Sequence, residues 1–174
     1  MRPTPAFIAL ILFIAATVAS AQESSPQKRG WLGRIFHPFG SSQKIPVYRN
    51  PKLRGLALQV ALPPEPIKLS EMRQLPVTIR LTNLGERPVE LGFPSEQRIE
   101  IYLRDAAGRV VTRWSDNRAF AEQPASVLIN PNEHLEYSET IATRDLASNK
   151  VFTVEVFVPA YPELDAKRKS LTAP

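Results

Sequence analysis

The feature of this chain that most constrains its fold is an apolar side chain at every second residue. The clearest run has apolar residues at Leu75, Val77, Ile79 and Leu81, with polar residues or proline between them. A period of two places the apolar side chains on one face of a β-strand, whereas a helix requires a period near 3.6. No stretch from residue 55 onward has the helical period. The pattern therefore predicts an all-β domain.

Turn signals divide this region into many short strands. The predicted strands cover residues 56–62, 75–83, 89–93, 98–104, 110–114, 126–130, 135–141 and 150–158. One hairpin connects two of them through Asp105-Ala106-Ala107-Gly108, where aspartate supplies an acceptor and glycine tolerates a positive φ. Because no helix is available to cross between parallel strands, the pattern favours an antiparallel β-sandwich of about seven to nine strands. A small barrel is the alternative, because alternation does not determine whether a sheet closes.

Residues 1–21 have the composition of a signal peptide. Arg2 precedes an apolar run from Ala6 to Val18 and the small residues Ala19-Ser20-Ala21. The run is shorter than the about 20 apolar residues of a membrane span, so cleavage is favoured over an uncleaved anchor. We therefore expect export to the periplasm, the cell envelope or the medium, with no transmembrane span after cleavage. Since the chain has no cysteine, neither a disulfide nor a lipid on a cysteine is available.

Basic residues are concentrated between the signal peptide and the first strand. Residues 22–60 contain seven lysines and arginines against one glutamate, whereas residues 61–163 contain eleven basic and fifteen acidic residues. We interpret residues 22–54 as a basic arm, residues 55–164 as the folded domain and residues 165–174 as a C-terminal tail. The arm is expected either to contact anionic envelope components nonspecifically or to act as a solubilising linker. The sequence does not indicate specific binding of nucleic acid.

The arm contains one apolar island at residues 31–39. It places Trp31, Leu32, Ile35, Phe36 and Phe39 within a short span that also contains Arg34 and His37. Pro38 limits any helix here to about two turns, which is too short to be stable without a surface to pack on. Docking on the folded domain is the favoured interpretation, and insertion at a membrane interface or contact with a partner are the alternatives.

The residues with chemically reactive side chains do not form a catalytic or metal-binding pattern. The imidazoles are His37 and His134, there is no thiol, and the carboxylates do not cluster at ligand spacing. Ser115 lacks the strand-to-helix turn that exposes a serine nucleophile. We therefore predict no metal, no cofactor and no enzymatic activity.

Several short motifs identify a domain type. They are a strand that ends at Asn83, the hairpin at Asp105–Gly108, the triplet Arg113-Trp114-Ser115, Phe120, and the turn Pro131-Asn132 that opens another strand. With these motifs, residues 75–139 resemble the BsuPI family, which is named after a bacterial intracellular proteinase inhibitor. The resemblance implies an immunoglobulin-like β-sandwich and a protein partner, with a proteinase as the candidate.

One segment is a candidate for recognising that partner. Residues 114–124 combine good turn chemistry at Asp116-Asn117 with the large apolar side chains of Trp114 and Phe120. In the functional interpretation, Trp114, Asp116, Arg118 and Phe120 bind a protein, and Arg118 or Phe120 fills the primary pocket of a proteinase. In the structural interpretation, Trp114 and Phe120 are buried and Arg118 is merely exposed.

Two functional hypotheses follow from this sequence. The first is an exported noncatalytic module that binds another protein and inhibits a proteinase. The second is a structural envelope or adhesion module that attaches to the cell surface through its basic arm. Because attraction of the arm to anionic surfaces weakens with ionic strength, salt dependence distinguishes the two hypotheses.

Overall fold

The structure is a computed structural model that describes residues 44–174. The predicted signal peptide, the apolar island and the arm up to residue 43 lie outside the described residues. Among residues 44–174, no helix is long and apolar enough to cross a membrane.

The described residues form nine β-strands, and every strand pairing is antiparallel. The strands are β1 (Leu56–Ala61), β2 (Gln74–Asn83), β3 (Val89–Phe93), β4 (Glu100–Arg104), β5 (Val110–Arg113), β6 (Ala125–Ile129), β7 (His134–Ala142), β8 (Val151–Val158) and β9 (Tyr161–Leu171). They form three sheets, in the orders β1-β2-β7, β3-β6 and β5-β4-β8-β9. The predicted all-β antiparallel immunoglobulin-like sandwich of seven to nine strands is confirmed.

The two-residue alternation accounts for the core. In β2, Leu75, Val77, Ile79 and Leu81 are at most 2% exposed. In β8 the same alternation buries four side chains, those of Phe152, Val154, Val156 and Val158. All eight side chains belong to one hydrophobic cluster that all three sheets share. Because burial of a large aliphatic side chain contributes about 1.5–3 kcal/mol, this shared cluster is the main source of stability in a chain without disulfides.

A buried asparagine turns the chain from one sheet to another at the end of β2. Asn83 is fully buried, and its Nδ2 donates to the carbonyls of Arg87 and Ile129 at 2.8 and 2.9 Å. Its Oδ1 accepts from the Gly85 N–H at 3.0 Å. We call the connection between β2 and β3, with the turn between β6 and β7, the Asn83 corner. Here the β2–β7 pair continues into the β3–β6 pair, and the side chain satisfies the backbone groups that the bend leaves unpaired.

The predicted C-terminal tail at residues 165–174 is a strand instead. Tyr161–Leu171 form β9, which pairs with β8 at Tyr161 and again from Asp165 to Leu171, and Leu164 is fully buried. Beyond β9, the Ala173 N–H donates to the carbonyl of Ile67 at 2.8 Å. Sequence patterning missed this strand because Pro162 and a run of charged residues interrupt the apolar alternation. Pairing with β8 stabilises this strand, although its apolar pattern does not predict one.

The end of the predicted basic arm also packs on the domain. Pro51–Leu53 form a 3-10 turn capped by Asn50, whose side chain accepts from the Lys52 N–H, and Leu53 is 1% exposed. The Arg49 N–H donates to Glu163 Oε2 at 2.7 Å. The folded domain therefore includes residues before 55, and Glu163 of β9 binds the backbone of Arg49.

Candidate protein-binding segment

The candidate site is the connection between β5 and β6, residues 114–124, which we call the connecting segment. It begins with a 3-10 turn, Trp114–Asn117, and continues through seven residues without regular structure. Arg118 has extended backbone angles, φ −124° and ψ 141°, and its N–H donates to the Ser115 carbonyl at 3.0 Å. From residue 116 to residue 124 only Phe120 is partly buried, and the other residues are exposed. The segment is therefore an exposed stretch with a buried start.

Two of the four predicted site residues, Trp114 and Arg118, meet on one carboxylate of β7, and a third, Phe120, packs on Trp114. The Trp114 Nε1–H and the Arg118 Nη2–H both donate to Glu139 Oε2 at 3.1 Å. The Arg118 guanidinium also lies 4.0 Å from the centre of the Trp114 ring. The Phe120 ring packs 5.6 Å from the same indole at a tilt of 33°. Trp114 is thus the centre of a cluster that contains Arg118, Phe120 and Glu139.

A second carboxylate fastens the 3-10 turn to β4. Glu100 is 6% exposed, and its Oε1 accepts from the backbone N–H groups of Ile101 and Ser115 at 2.9 and 3.3 Å. Its other oxygen accepts from Gln97 Nε2 at 3.2 Å. A buried carboxylate requires such donors because it has lost its hydration. The turn that presents Arg118 is therefore tied to the framework on both sides.

A pair of hydrogen bonds holds the middle of the connecting segment. The Glu96 N–H donates to the Ala121 carbonyl at 3.0 Å, and the Ala121 N–H donates to Glu96 Oε2 at 3.4 Å. The exposed stretch is consequently fixed at Arg118 and again three residues later at Ala121.

Asp116 borders a cleft together with Trp114 and Arg118. Asp116 is exposed, and the cleft has a volume of about 450 Å³ and lies between β5 and the end of β7. The cleft is also lined by Arg113, Arg144 and Asp145. Of the four predicted residues, Trp114, Asp116 and Arg118 therefore border this cleft, while Phe120 lies outside its lining.

Sequence reasoning missed the three carboxylates that hold the segment. Glu96 and Glu100 lie on the approach to β4 and at its start, and Glu139 lies on β7. All three lie far from the segment along the chain, at separations of 15 to 25 residues in their hydrogen bonds. The sequence shows acidic residues on these strands, but their partners depend on how the sheets pack.

His134, which was considered for catalysis, lies apart from this cluster. His134 opens β7, opposite Thr82, and is five residues from Glu139, or roughly 17 Å along a strand. Ser115 gives its N–H to Glu100. Among residues 44–174, no three His, Asp or Glu side chains are grouped so that they could hold a metal ion.

Several solved structures share a distant likeness with this chain. A β-glucosidase from Listeria innocua is 16% identical with a TM-score of 0.41, and the match covers 68% of this chain and 16% of that one. A β-glucuronidase from Bacteroides uniformis is 11% identical with a TM-score of 0.36, covering 67% and 13%. A FixG-related protein from Vibrio parahaemolyticus is 9% identical with a TM-score of 0.33, covering 68% and 96%. The chain thus corresponds to a small part of these glycosidases.

No curated protein matches the chain significantly. A family model described as intracellular proteinase inhibitor, BsuPI, matches residues 66–163. The match starts ahead of β2 and extends into β9, so it includes the Asn83 corner and the whole connecting segment. Since it spans more than half of the chain, the protein belongs to the BsuPI family of intracellular proteinase inhibitors.

Proposed function

We propose that this protein is an exported, noncatalytic inhibitor that binds a proteinase through the connecting segment. The observation that carries the proposal is the combination of exposure and restraint in residues 118–124. Apart from Phe120 the chain is exposed there, yet Glu139 holds Arg118 and Glu96 holds Ala121. Membership of an inhibitor family supports the same function.

Restraint matters because a proteinase binds its substrate as an extended chain. A flexible segment loses conformational freedom on binding, at a cost of about 0.5–1.5 kcal/mol for each immobilised side chain. A segment that is already extended and anchored avoids much of this cost. The anchors also keep the two ends of a cleaved bond together, which favours resynthesis over release. The connecting segment is anchored at Arg118 and Ala121, and its backbone is extended at Arg118.

The proposed location follows from the N-terminal segment. A cleavable signal peptide at residues 1–21 directs the domain to the periplasm, the envelope or the medium. The family is named for an intracellular inhibitor, so the proteinase proposed for this chain is one that works outside the cytoplasm. Mass spectrometry of the exported protein tests this part of the proposal, because cleavage after Ala21 leaves Gln22 at the N-terminus.

The inhibitory function is tested with the exported full chain against a proteinase panel. The panel contains subtilisin-like, trypsin-like, chymotrypsin-like and elastase-like enzymes, each assayed with a small chromogenic peptide. We expect stoichiometric inhibition of at least one enzyme that is maintained in 0.5 M salt. Phe120→Ala and Arg118→Ala are expected to weaken it, because both remove contacts that hold the segment against Trp114. Ala106→Ser in the β4–β5 hairpin is the control.

The proposal fails if the correctly folded protein inhibits none of the four enzymes and both variants match the parent. Binding to envelope material that disappears in high salt, without inhibition, favours an attachment role for the basic arm instead.

A further inference from the structure

We propose that Ala119 is the residue that enters the primary pocket of the target, and that the target prefers small aliphatic side chains. This inference rests on the proposed inhibitory function. It differs from the expectation based on sequence, in which Arg118 or Phe120 fills the pocket.

The first argument is the direction of the neighbouring side chains. Arg118 lies 4.0 Å from the centre of the Trp114 ring, and Phe120 lies 5.6 Å from it. Both side chains therefore face the domain. The backbone is extended at Arg118, and in an extended chain alternate side chains share a side. Ala119, between two side chains that both face the domain, therefore points outward, and it is exposed.

The second argument concerns what Arg118 and Phe120 would lose. To enter a pocket, Arg118 has to leave both the indole of Trp114 and the carboxylate of Glu139. Phe120 has to leave the hydrophobic cluster against which it packs. Ala119 can be bound without any of these changes.

The third argument distinguishes Ala119 from Ala121, which is also exposed. A proteinase pairs its own backbone with the main chain of the residues that it binds. The N–H and C=O of Ala121 are both occupied by Glu96. The N–H and C=O of Ala119 make no hydrogen bond with any other residue between 44 and 174, so they are available to the enzyme. Ala119, whose backbone groups are free, thus lies between two residues that are held in place, Arg118 and Ala121.

The size of the Ala119 side chain then indicates the class of target. A deep pocket built for an aromatic or a basic side chain remains largely empty around a methyl group, which loses its packing and charge contacts. A shallow pocket of the elastase type is filled by it. The geometry therefore points to a proteinase that cleaves after small aliphatic residues.

The inference is tested by changing specificity with single substitutions in the exported full chain. Ala119→Arg is assayed against trypsin-like and elastase-like enzymes, and Ala119→Phe against chymotrypsin-like and elastase-like enzymes. Gln123→Arg is the matched control, because it adds the same charge to an exposed residue of the same segment. Circular dichroism and thermal unfolding confirm that each variant is folded.

We expect the parent to inhibit the elastase-like enzyme. Ala119→Arg should lose about tenfold or more against that enzyme and gain about tenfold or more against the trypsin-like enzyme. Ala119→Phe should make the corresponding shift toward the chymotrypsin-like enzyme, and Gln123→Arg should change either constant by less than about threefold.

Different results overturn the two proposals separately. If the parent inhibits a proteinase and Ala119→Arg leaves every inhibition constant within about threefold, the assignment of Ala119 is wrong while the inhibitory function stands. If Gln123→Arg and not Ala119→Arg changes the specificity, the contact lies further along the segment and the assignment is again wrong. If neither the parent nor any variant inhibits an enzyme, both proposals fail.

Discussion

The Asn83 corner and the connecting segment both contain residues that carry the family resemblance, yet they are held in different ways. Asn83 is fully buried, and its side chain makes three hydrogen bonds, all to backbone groups. In the connecting segment the contacts come from Trp114, Arg118 and glutamates, and the side chains of Arg118 and Glu139 are 41% and 26% exposed. The corner joins two sheets, whereas the connecting segment presents a surface.

The contrast shows that residues of one family signature can serve different purposes. Loss of a buried group that satisfies several backbone atoms affects the whole domain, because both sheets lose their connection. Loss of a half-exposed anchor leaves the sheets intact and increases local opening of the segment. Substitutions in the two regions should therefore differ in the free energy of unfolding and in where amide hydrogen exchange increases.

The largest effect is expected from Asn83→Ala. The substitution removes a fully buried side chain and leaves the carbonyls of Arg87 and Ile129 and the N–H of Gly85 without their partner. We expect a loss of about 3 kcal/mol in the free energy of unfolding, measured by urea denaturation. Asn117→Ala, at an exposed residue of the connecting segment, is the control and should cost less than about 1 kcal/mol. Equal losses in the two variants would contradict the role of the Asn83 corner.

A smaller loss is expected from Gly55→Ala, which alters the backbone packed against the same corner. Gly55 has a φ of +88°, and an added Cβ would lie 2.7 Å from the Gly85 Cα. Gly108, in the β4–β5 hairpin, has a similar φ of +81° but open space around it. Gly108→Ala should therefore cost about 1 kcal/mol for the backbone alone, and Gly55→Ala about 2 kcal/mol or more. Thermal unfolding measures the loss of stability in both variants. The difference between the two losses gives the steric part of the Gly55→Ala effect, and a difference near zero would contradict a clash with Gly85.

A local effect is expected from Glu139→Ala. This substitution removes the acceptor of both Trp114 and Arg118. We expect the free energy of unfolding to fall by only about 1 kcal/mol, because the anchors are partly exposed. Hydrogen exchange of the amides in residues 115–123 should nevertheless accelerate clearly. Glu136→Ala, which removes one partner of Arg80 on the other face of β7, is the control and should leave exchange in the segment unchanged. A uniform acceleration over the domain after Glu139→Ala would show that the segment supports the fold.

The same contrast explains how much of this molecule the sequence predicts. The alternation of β2 and β8 predicts both strands and their buried faces, because burial on one side of a sheet requires a period of two. β9 was missed, since its position depends on pairing with β8 and its charged residues conceal the pattern. The connecting segment was located by its turn residues and aromatics. Its anchors Glu96, Glu100 and Glu139 were not foreseen, because contacts between distant strands depend on sheet packing.

The smallest effect is expected at Glu155. It tests whether burial or charge makes the Asn83 corner and the connecting segment respond differently to substitution. Glu155 on β8 is charged but mostly buried, and it binds Arg104 at 2.6 Å and Lys167 at 2.8 Å. Burial opposes ionisation of Glu155, but the hydrogen bonds and charges of Lys167 and Arg104 outweigh it and hold the pKa of this carboxyl below its ordinary value of 4.5. The contacts with Glu155 raise the pKa of Lys167 above 10.5.

A lowered carboxyl pKa stabilises the folded state above the pKa of the unfolded chain, and the benefit disappears as the pH falls through the folded value. A raised lysine pKa stabilises below about pH 10.5 and is lost as the pH rises further. Glu155→Gln should therefore flatten the decrease in stability below about pH 4.5 and also the decrease above pH 10.5. Because Lys167 is 56% exposed, solvent screening limits the change to less than about 1 kcal/mol. Urea denaturation from pH 3 to pH 11 measures both limbs. If burial decides the effect, Glu155→Gln changes the free energy of global unfolding, as Asn83→Ala does. If Glu155→Gln changes only the hydrogen exchange of amides near β8, charged contacts act locally even where they are buried.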